Sequence, residues 1–537
     1  RVMTVTGGSG NDTITFSADT FTAADTVDGG AGTDTLSIAA TGPQTQALLA
    51  KVTNVETLTL TGATTLTLSK DVSATSFVAG GAGVQTIVFN TGYTADSTVT
   101  LGAGADVVTN TANIGLTVNG TQAAFLAAGN ITGGTGTDTV NVTADGTAQW
   151  TLATSGTTTL VDTINVIDGG DDAATGTAPA GDDASIDLEA YATALTVDAS
   201  GLDGATVDSD EDGLLSDEAL DEQLTLDGSG ATAVLTVTGG GGADSLTGGT
   251  KNDTITGGGG DDTIIGTAGG NDTLVGGAGN DTFTMGAALT KDDTIDGGDG
   301  TDTLQVTTVS AAALAGVSNV ETLEVTGTTT ISVSEDLAFS AFKLTSAAVQ
   351  TLTLAKGVTQ DTTVSLGAGD IVTNTANVAL TVNASETNLD DLTALTGGTG
   401  TDTINMTTDT ETNTFNLAGQ SVTLVDAINV LDPGDTTATA GEDASITTGA
   451  YATALTIDGS GLDGATVDSD NDGSLADEAL NENLTVVGTA ATAALTITGG
   501  GGVDALTGGT KNDTINGGAG NDTITLEAGG NDTVDGG

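Results

Sequence analysis

The sequence predicts an all-β chain: rolls of short parallel strands stacked turn upon turn, joined to β-helical or β-sandwich modules in tandem repeats. Three observations predict it. Long segments recur at a nearly constant separation, a glycine-rich nonapeptide recurs inside them, and most other segments alternate apolar residues with Thr. GLDGATVDSD at 201–210 returns letter for letter at 461–470, an offset of 461 − 201 = 260. NVETL at 54–58 returns at 319–323, an offset of 319 − 54 = 265. A unit near 260–270 residues is the mark of a repeat architecture, in which each turn buries its apolar face against the next.

Composition narrows the chemistry before any element is placed. The chain has 537 residues, 8 Lys+Arg against 72 Asp+Glu, a net charge of -64, and neither Cys nor His. Disulfides and Ser-His-Asp or Cys-His catalysis are therefore excluded, and zinc, haem and iron–sulfur sites lose their usual ligands. Nucleic acid is not an expected partner, since phosphate binding needs clustered Lys and Arg. No run of about 18 apolar residues suggests a membrane span. High charge with 2% aromatics resembles a disordered chain, but 37% hydrophobic residues in patterned positions argue for a core. Arg1 opens on a strand-like stretch, so the sequence reads as a window on a longer array.

In chain order, residues 1–8 read as the end of a preceding repeat and 9–238 as a first β-rich module. A roll block follows at 239–284, then a second β-rich module at 285–498 and a second roll block at 499–537. In the modules, ETLTLTGATTLTLS (56–69) and ETLEVTGTTTISVS (321–334) alternate around a central Gly, the period-2 pattern of half-buried strands. Short helices are expected at 45–52, 311–317 and 388–395.

The roll blocks carry the chemistry. From Gly239 the chain reads GGGGADSLT, GGTKNDTIT, GGGGDDTII, GTAGGNDTLV, GGAGNDTFT, which places Asp244, Asp253, Asp262, Asp272 and Asp281 at intervals of 9, 9, 10 and 9. The second block repeats this with Asp504, Asp513, Asp522 and Asp532. Single copies at 7–15, 29–37, 133–141, 297–305 and 397–405 contribute Asp12, Asp34, Asp138, Asp302 and Asp402. In GGxGxDxUx the glycines permit positive φ and close backbone approach. The Asp and the turn carbonyls supply hard oxygens of the kind Ca²⁺ takes, about 6–8 at a time. One isolated copy is explained as well by a turn with a solvated Asp. Five in succession are not, because uncompensated stacked carboxylates repel. Several Ca²⁺ ions are therefore the expected cofactor.

A second acidic pattern is D-x-D-x-D-G, with Asp208, Asp210 and Asp212 in one copy and Asp468, Asp470 and Asp472 in the other. It places oxygens at positions 1, 3 and 5 and the turn glycine at 6, as in an EF-hand loop, but Ala219 and Ala479 stand at position 12. Asp217 or Glu218 would have to close that shell in the first copy. LGAGADVVTNTAN (101–113) and LGAGDIVTNTAN (366–377) resemble degenerate roll turns, with Asp106 and Asp370 at the ligand position.

The nonapeptides resemble those of RTX (repeat-in-toxin) calcium-binding proteins. The strand-rich segments between them resemble bacterial RTX-containing surface-layer proteins and giant repetitive surface proteins. That resemblance implies calcium binding, type I secretion, and folding at the outside of a bacterial cell. The expectation is then an extracellular structural protein whose partners are copies of itself in a layer or filament. Cell-surface polysaccharide is a further candidate partner, and neither nucleic acid nor membrane insertion is expected. Two alternatives stay open: the stalk of an RTX adhesin, and the calcium-binding tail of a secreted toxin or hydrolase. Enzymatic activity is not expected. Trp150 is the single Trp, so the aromatics that line sugar clefts are nearly absent, and no G-x-S-x-G occurs.

Overall fold

The computed structural model describes residues 1–17, 20–144, 150–151, 158–167, 183–202, 223–334, 339–408, 414–431, 443–462 and 483–537. They fall into two compact units: Arg1–Thr284 with Asp292–Asp302, and Met285–Lys291 with Thr303–Gly537.

Each unit is a parallel β-solenoid. In the first, one sheet is assembled from Thr13–Phe16, Thr35–Ile38 and Thr57–Leu60, and continues to Thr254–Gly259, Thr273–Ala278 and Thr294–Asp299. Between visits to that sheet the chain adds a strand to another, first Thr64–Leu68, Thr86–Phe89 and Val107–Asn110, later Leu224–Asp227, Ser245–Thr247 and Thr263–Ile265. The second unit does the same. Its long sheet includes Thr322–Val325, Ala341–Leu344, Leu380–Ser385, Leu455–Gly461 and Thr514–Asn516. Its other sheets include Thr351–Leu354 with Ile371–Asn374, and Leu484–Val487 with Ala505–Thr507.

The sequence periodicities explain the architecture. Most strands have one or more apolar residues facing inward and polar residues, often Thr, facing out, as in Thr35–Ile38, where Leu36 and Ile38 are buried. Parallel register then stacks like upon like: Val237, Ile255, Leu274 and Ile295 form one continuous file, each 0–1% exposed. Burying each such side chain contributes about 1.5–3 kcal/mol, so a turn is stabilised mainly by its two neighbours. Two nonapeptides make one turn of 18 residues, seen in the Asp244-to-Asp262 contact, while turns outside the blocks vary in length, with 22 residues from Asp12 to Asp34 and 24 from Asp138 to Asp162. Of the two module types expected between the rolls, the described strands form the β-helical one. A β-sandwich pairs its strands antiparallel, and the pairings between these strands are parallel.

The tandem repeat is repeated in structure. A bulge between Asn165 and Ile167 recurs between Asn429 and Leu431, an offset of 429 − 165 = 264. The expected helix at 45–52 is a 3-10 turn at Gln46–Leu49, and that at 311–317 is a 3-10 turn at Ala311–Gly316. The third is an α-helix at Glu386–Asp390, capped by Ser385. Its counterpart Gln122–Ala127, capped by Thr121, was not anticipated; it buries Phe125 against Trp150 with ring centroids 4.8 Å apart.

Candidate metal centres

In every described nonapeptide the Asp turns inward at the corner between two strands. Asp34, Asp138, Asp244, Asp253, Asp262, Asp272, Asp281, Asp302, Asp402, Asp504 and Asp513 are at most 4% exposed. Asp12, Asp522 and Asp532 are half-buried. One oxygen of each of these carboxylates except Asp12 ties it to the turn before. The N–H of Asp244 donates to Asp262 Oδ1 at 2.8 Å, Asp262 N–H to Asp281 Oδ1 at 2.8 Å, and Asp281 N–H to Asp302 Oδ1 at 2.7 Å. A second file runs through Asp253, Asp272 and Asp293 at 2.9 and 2.8 Å. In the second unit Asp504 N–H reaches Asp522 Oδ1 at 3.1 Å and Asp513 N–H reaches Asp532 Oδ1 at 2.9 Å.

The other carboxylate oxygen separates most of the turns into two kinds; those of Asp272 and Asp532, with positive φ at Gly269 and Gly270 and at Gly529 and Gly530, belong to neither. In one, the N–H four residues earlier closes on Oδ2: Gly240 to Asp244, Gly249 to Asp253, Gly500 to Asp504 and Gly509 to Asp513, at 2.7–2.8 Å. In the other, the second and fourth glycines both take positive φ, as Gly258 and Gly260 do at 125° and 87° and Gly277 and Gly279 at 129° and 130°. Gly30 with Gly32 and Gly518 with Gly520 share this conformation. That backbone turns the N–H away. Asp34, Asp262, Asp281 and Asp522, the aspartates of those turns, each have a buried Oδ2 with no hydrogen-bond partner.

A buried, donorless carboxylate oxygen is costly unless a cation meets it. The electrostatics reflect this. Burial, chiefly, together with the neighbouring Asp244, Asp281 and Asp261 charges, pushes the Asp262 carboxyl up to about 8. Burial likewise raises Asp244, Asp272 and Asp281 to about 6. Among the described residues, no group of three or more acidic side chains converges so as to hold one metal ion between them. A cation at an open turn would therefore draw its remaining oxygens from main-chain carbonyls. Those stand in files beside the carboxylates: a side chain on Gly258 would collide with the Gly240 carbonyl, and one on Gly277 with that of Gly258. Carboxylate plus carbonyl oxygen, with no nitrogen or sulfur, is a donor set for a hard cation such as Ca²⁺.

The family model for the RTX calcium-binding nonapeptide repeat matches residues 4–20, 22–37, 238–270, 268–287, 287–305 and 498–533. The chain carries RTX calcium-binding nonapeptide repeats. RTX repeats bind calcium, several ions to a protein, and the open turns lie within the matched residues. RTX repeat proteins are typically extracellular and exported by type I secretion, and among the described residues no helix is long and apolar enough to cross a membrane. A comparison with curated proteins found no match.

Of the aspartates expected as ligands, Asp138 and Asp402 take the corner position in turns outside the matched residues. Asp208, Asp210, Asp212, Asp468, Asp470 and Asp472 lie outside the described residues. Asp106 and Asp370, in the degenerate turns, are buried at the same corner and accept Gln85 and Gln350 N–H at 2.9 and 3.0 Å. Further corner carboxylates were not apparent from the sequence. Glu56 accepts Asp34 N–H at 2.7 Å, Asp162 accepts Asp138 N–H at 2.8 Å, and Asp426 accepts Asp402 N–H at 2.9 Å. None follows a Gly-rich turn; the one available signal was their spacing of 22–24 residues from the motif Asp.

Proposed function

We propose that this is an extracellular structural protein whose calcium-bound turns rigidify tandem β-solenoid repeats, which assemble with copies of themselves into a surface layer or filament. The observation that carries the reading is the file of buried carboxylates at Asp244, Asp262 and Asp281, linked turn to turn, with donorless oxygens at the open turns. Where free calcium is scarce these charges oppose folding and keep the chain fit for export. Outside the cell, binding free energy becomes folding free energy. The assembly step is supported by the tandem repeat, since a periodic chain presents similar surfaces at regular intervals, and head-to-tail contacts that do not close form open arrays. Cell-surface polysaccharide is the second candidate partner, and no catalytic role belongs to this reading.

Electron microscopy of the purified protein in millimolar calcium and in EGTA tests it. Ordered sheets or filaments are expected in calcium and their loss on chelation. Monodisperse monomers in calcium at high protein concentration would overturn the assembly step.

A further inference from the structure

Some corner carboxylates in each repeat are already fully supplied with donors. Asp138 Oδ2 accepts Gly134 N–H at 2.6 Å, while Oδ1 accepts Leu116 N–H at 3.0 Å and the Asn110 side-chain amide at 3.2 Å. Asp402 repeats the arrangement with Gly398 at 2.6 Å, Leu380 at 3.1 Å and Asn374 at 3.0 Å. The same amide nitrogens donate to main-chain carbonyls, Asn110 to Ile114 at 3.2 Å and Asn374 to Val378 at 3.1 Å. Both asparagines are buried, and 374 − 110 equals 402 − 138, so the pair is a property of the repeat. A primary amide thus stands between a carboxylate and a turn carbonyl, the two groups a cation would bridge.

Gln85 and Gln350 make the complementary change. Each occupies the corner itself: its N–H donates to Asp106 or Asp370 Oδ1 as Asp244 N–H does to Asp262. The side chain there is neutral and wholly buried. Gln85 Nε2 donates to the carbonyls of Gly62 and Gly83, and Gln350 Nε2 to those of Val325 and Gly327 at 2.8 and 2.9 Å. An N–H donor meets the turn carbonyls without any ion.

We propose that side-chain amides take the place of calcium in the middle of each repeat. Residues 81–138 and 346–402 then form solenoid that folds and stays folded without the ion, while the open turns of the roll blocks require it. The inference rests on the calcium reading of the roll turns. Asp138 and Asp402 lie outside the residues that match the RTX repeat, which agrees with a turn that has exchanged its ion for an amide.

Hydrogen exchange of the whole chain in calcium and in EGTA decides the matter. On chelation, amides of Thr254–Gly259 and Thr273–Ala278 should exchange at least about 100-fold faster, while those of Thr86–Phe89, Val107–Asn110 and Ile371–Asn374 change less than about threefold. If both regions accelerate together, the inference is overturned and the calcium reading stands. If neither does, both are overturned. The double variant Asn110→Asp with Asn374→Asp replaces the donor by a second carboxylate. Its middle strands should become protected only in calcium, and protection that persists in EGTA would show that the amides do not perform this role.

Discussion

At Asp262 the side chain is 1% exposed, accepts one hydrogen bond from Asp244 N–H, and has no donor on Oδ2. An amide of the same shape removes the charge. Asp262→Asn should therefore stabilise the calcium-free protein by about 1–3 kcal/mol, the cost of a buried donorless polar group, and weaken the calcium-bound one. Urea unfolding in EGTA and in calcium would show the two effects with opposite signs; destabilisation in both would mean that the carboxylate is an ordinary structural acceptor. The same burial sets a pH dependence. Asp262 rises to about 8 from an ordinary 3.8, so between those values the folded chain holds a proton that the unfolded chain has released. Stability without calcium must fall as pH rises through that window. Asp244, Asp272 and Asp281, at about 6, act in the same direction over its lower part. Asp25, lowered chiefly by the Met3 and Thr22 N–H groups, and Asp71, lowered chiefly by the Thr94 hydroxyl, have the opposite sign, but the stability they contribute is lost only as pH falls below about 3.8. In EGTA the thermal midpoint should be higher at pH 5 than at pH 8. Calcium, which needs the ionised carboxylate, should flatten or reverse that order. A midpoint in EGTA that climbs with pH would contradict the buried-charge account.

Among the elements, the turn decides more than the strand. Gly279 has φ 130° and its open side faces the Gly260 carbonyl, whereas a methyl group on Gly10 would meet nothing within 4 Å. Gly279→Ala should cost at least about 2 kcal/mol in calcium, from backbone strain and the collision, and Gly10→Ala should stay within about 0.5 kcal/mol of neutral. Equal effects in chemical unfolding would show that stacking does not constrain the fourth glycine. The position of these turns was legible in the sequence because Gly and Asp recur at nine-residue intervals, and the strands were legible from their period of two. The state of each turn was not. GGGGAD at 239–244 and GGGGDD at 257–262 differ in one letter, yet the first is closed by Gly240 N–H and the second is open. The difference comes from what each turn stacks on. Gly241 N–H donates to Leu202 of an irregular turn, while Gly259 N–H donates to Gly240 of another nonapeptide. Gln85 and Asn110 were illegible for a related reason: neutral amides belong to no ligand motif, and their role exists only once a neighbouring turn presents its carbonyl.

For the molecule as a whole, the question is what a charge of -64 does once the chain is coiled. Parallel pairing places successive corner carboxylates about one strand spacing apart, ~4.8 Å. That is shorter than the Debye length of about 8 Å at physiological salt, and the groups are buried besides, so mobile ions cannot screen them from one another. With 8 Lys+Arg for 72 Asp+Glu, the chain cannot neutralise itself through ion pairs either. Protons neutralise the buried carboxylates only below their raised values, about 8 at Asp262 and about 6 at Asp244, Asp272 and Asp281; to fold with those groups ionised the chain needs a cation that enters the turn and accepts carbonyl ligands as well. Mg²⁺ is poorly suited, since it holds its water and demands near-octahedral geometry at about 2.0–2.1 Å, whereas Ca²⁺ tolerates about 6–8 irregular oxygens. In EGTA, raising NaCl from about 0.15 to about 1 M, where the Debye length shrinks to about 3 Å, should leave the β-sheet circular dichroism of the roll blocks unrestored. Magnesium at the same ionic strength should also fail, and millimolar calcium should restore the signal. Recovery in NaCl alone would mean that the carboxylates repel only through solvent, and that the solenoid needs ionic strength rather than bound ions.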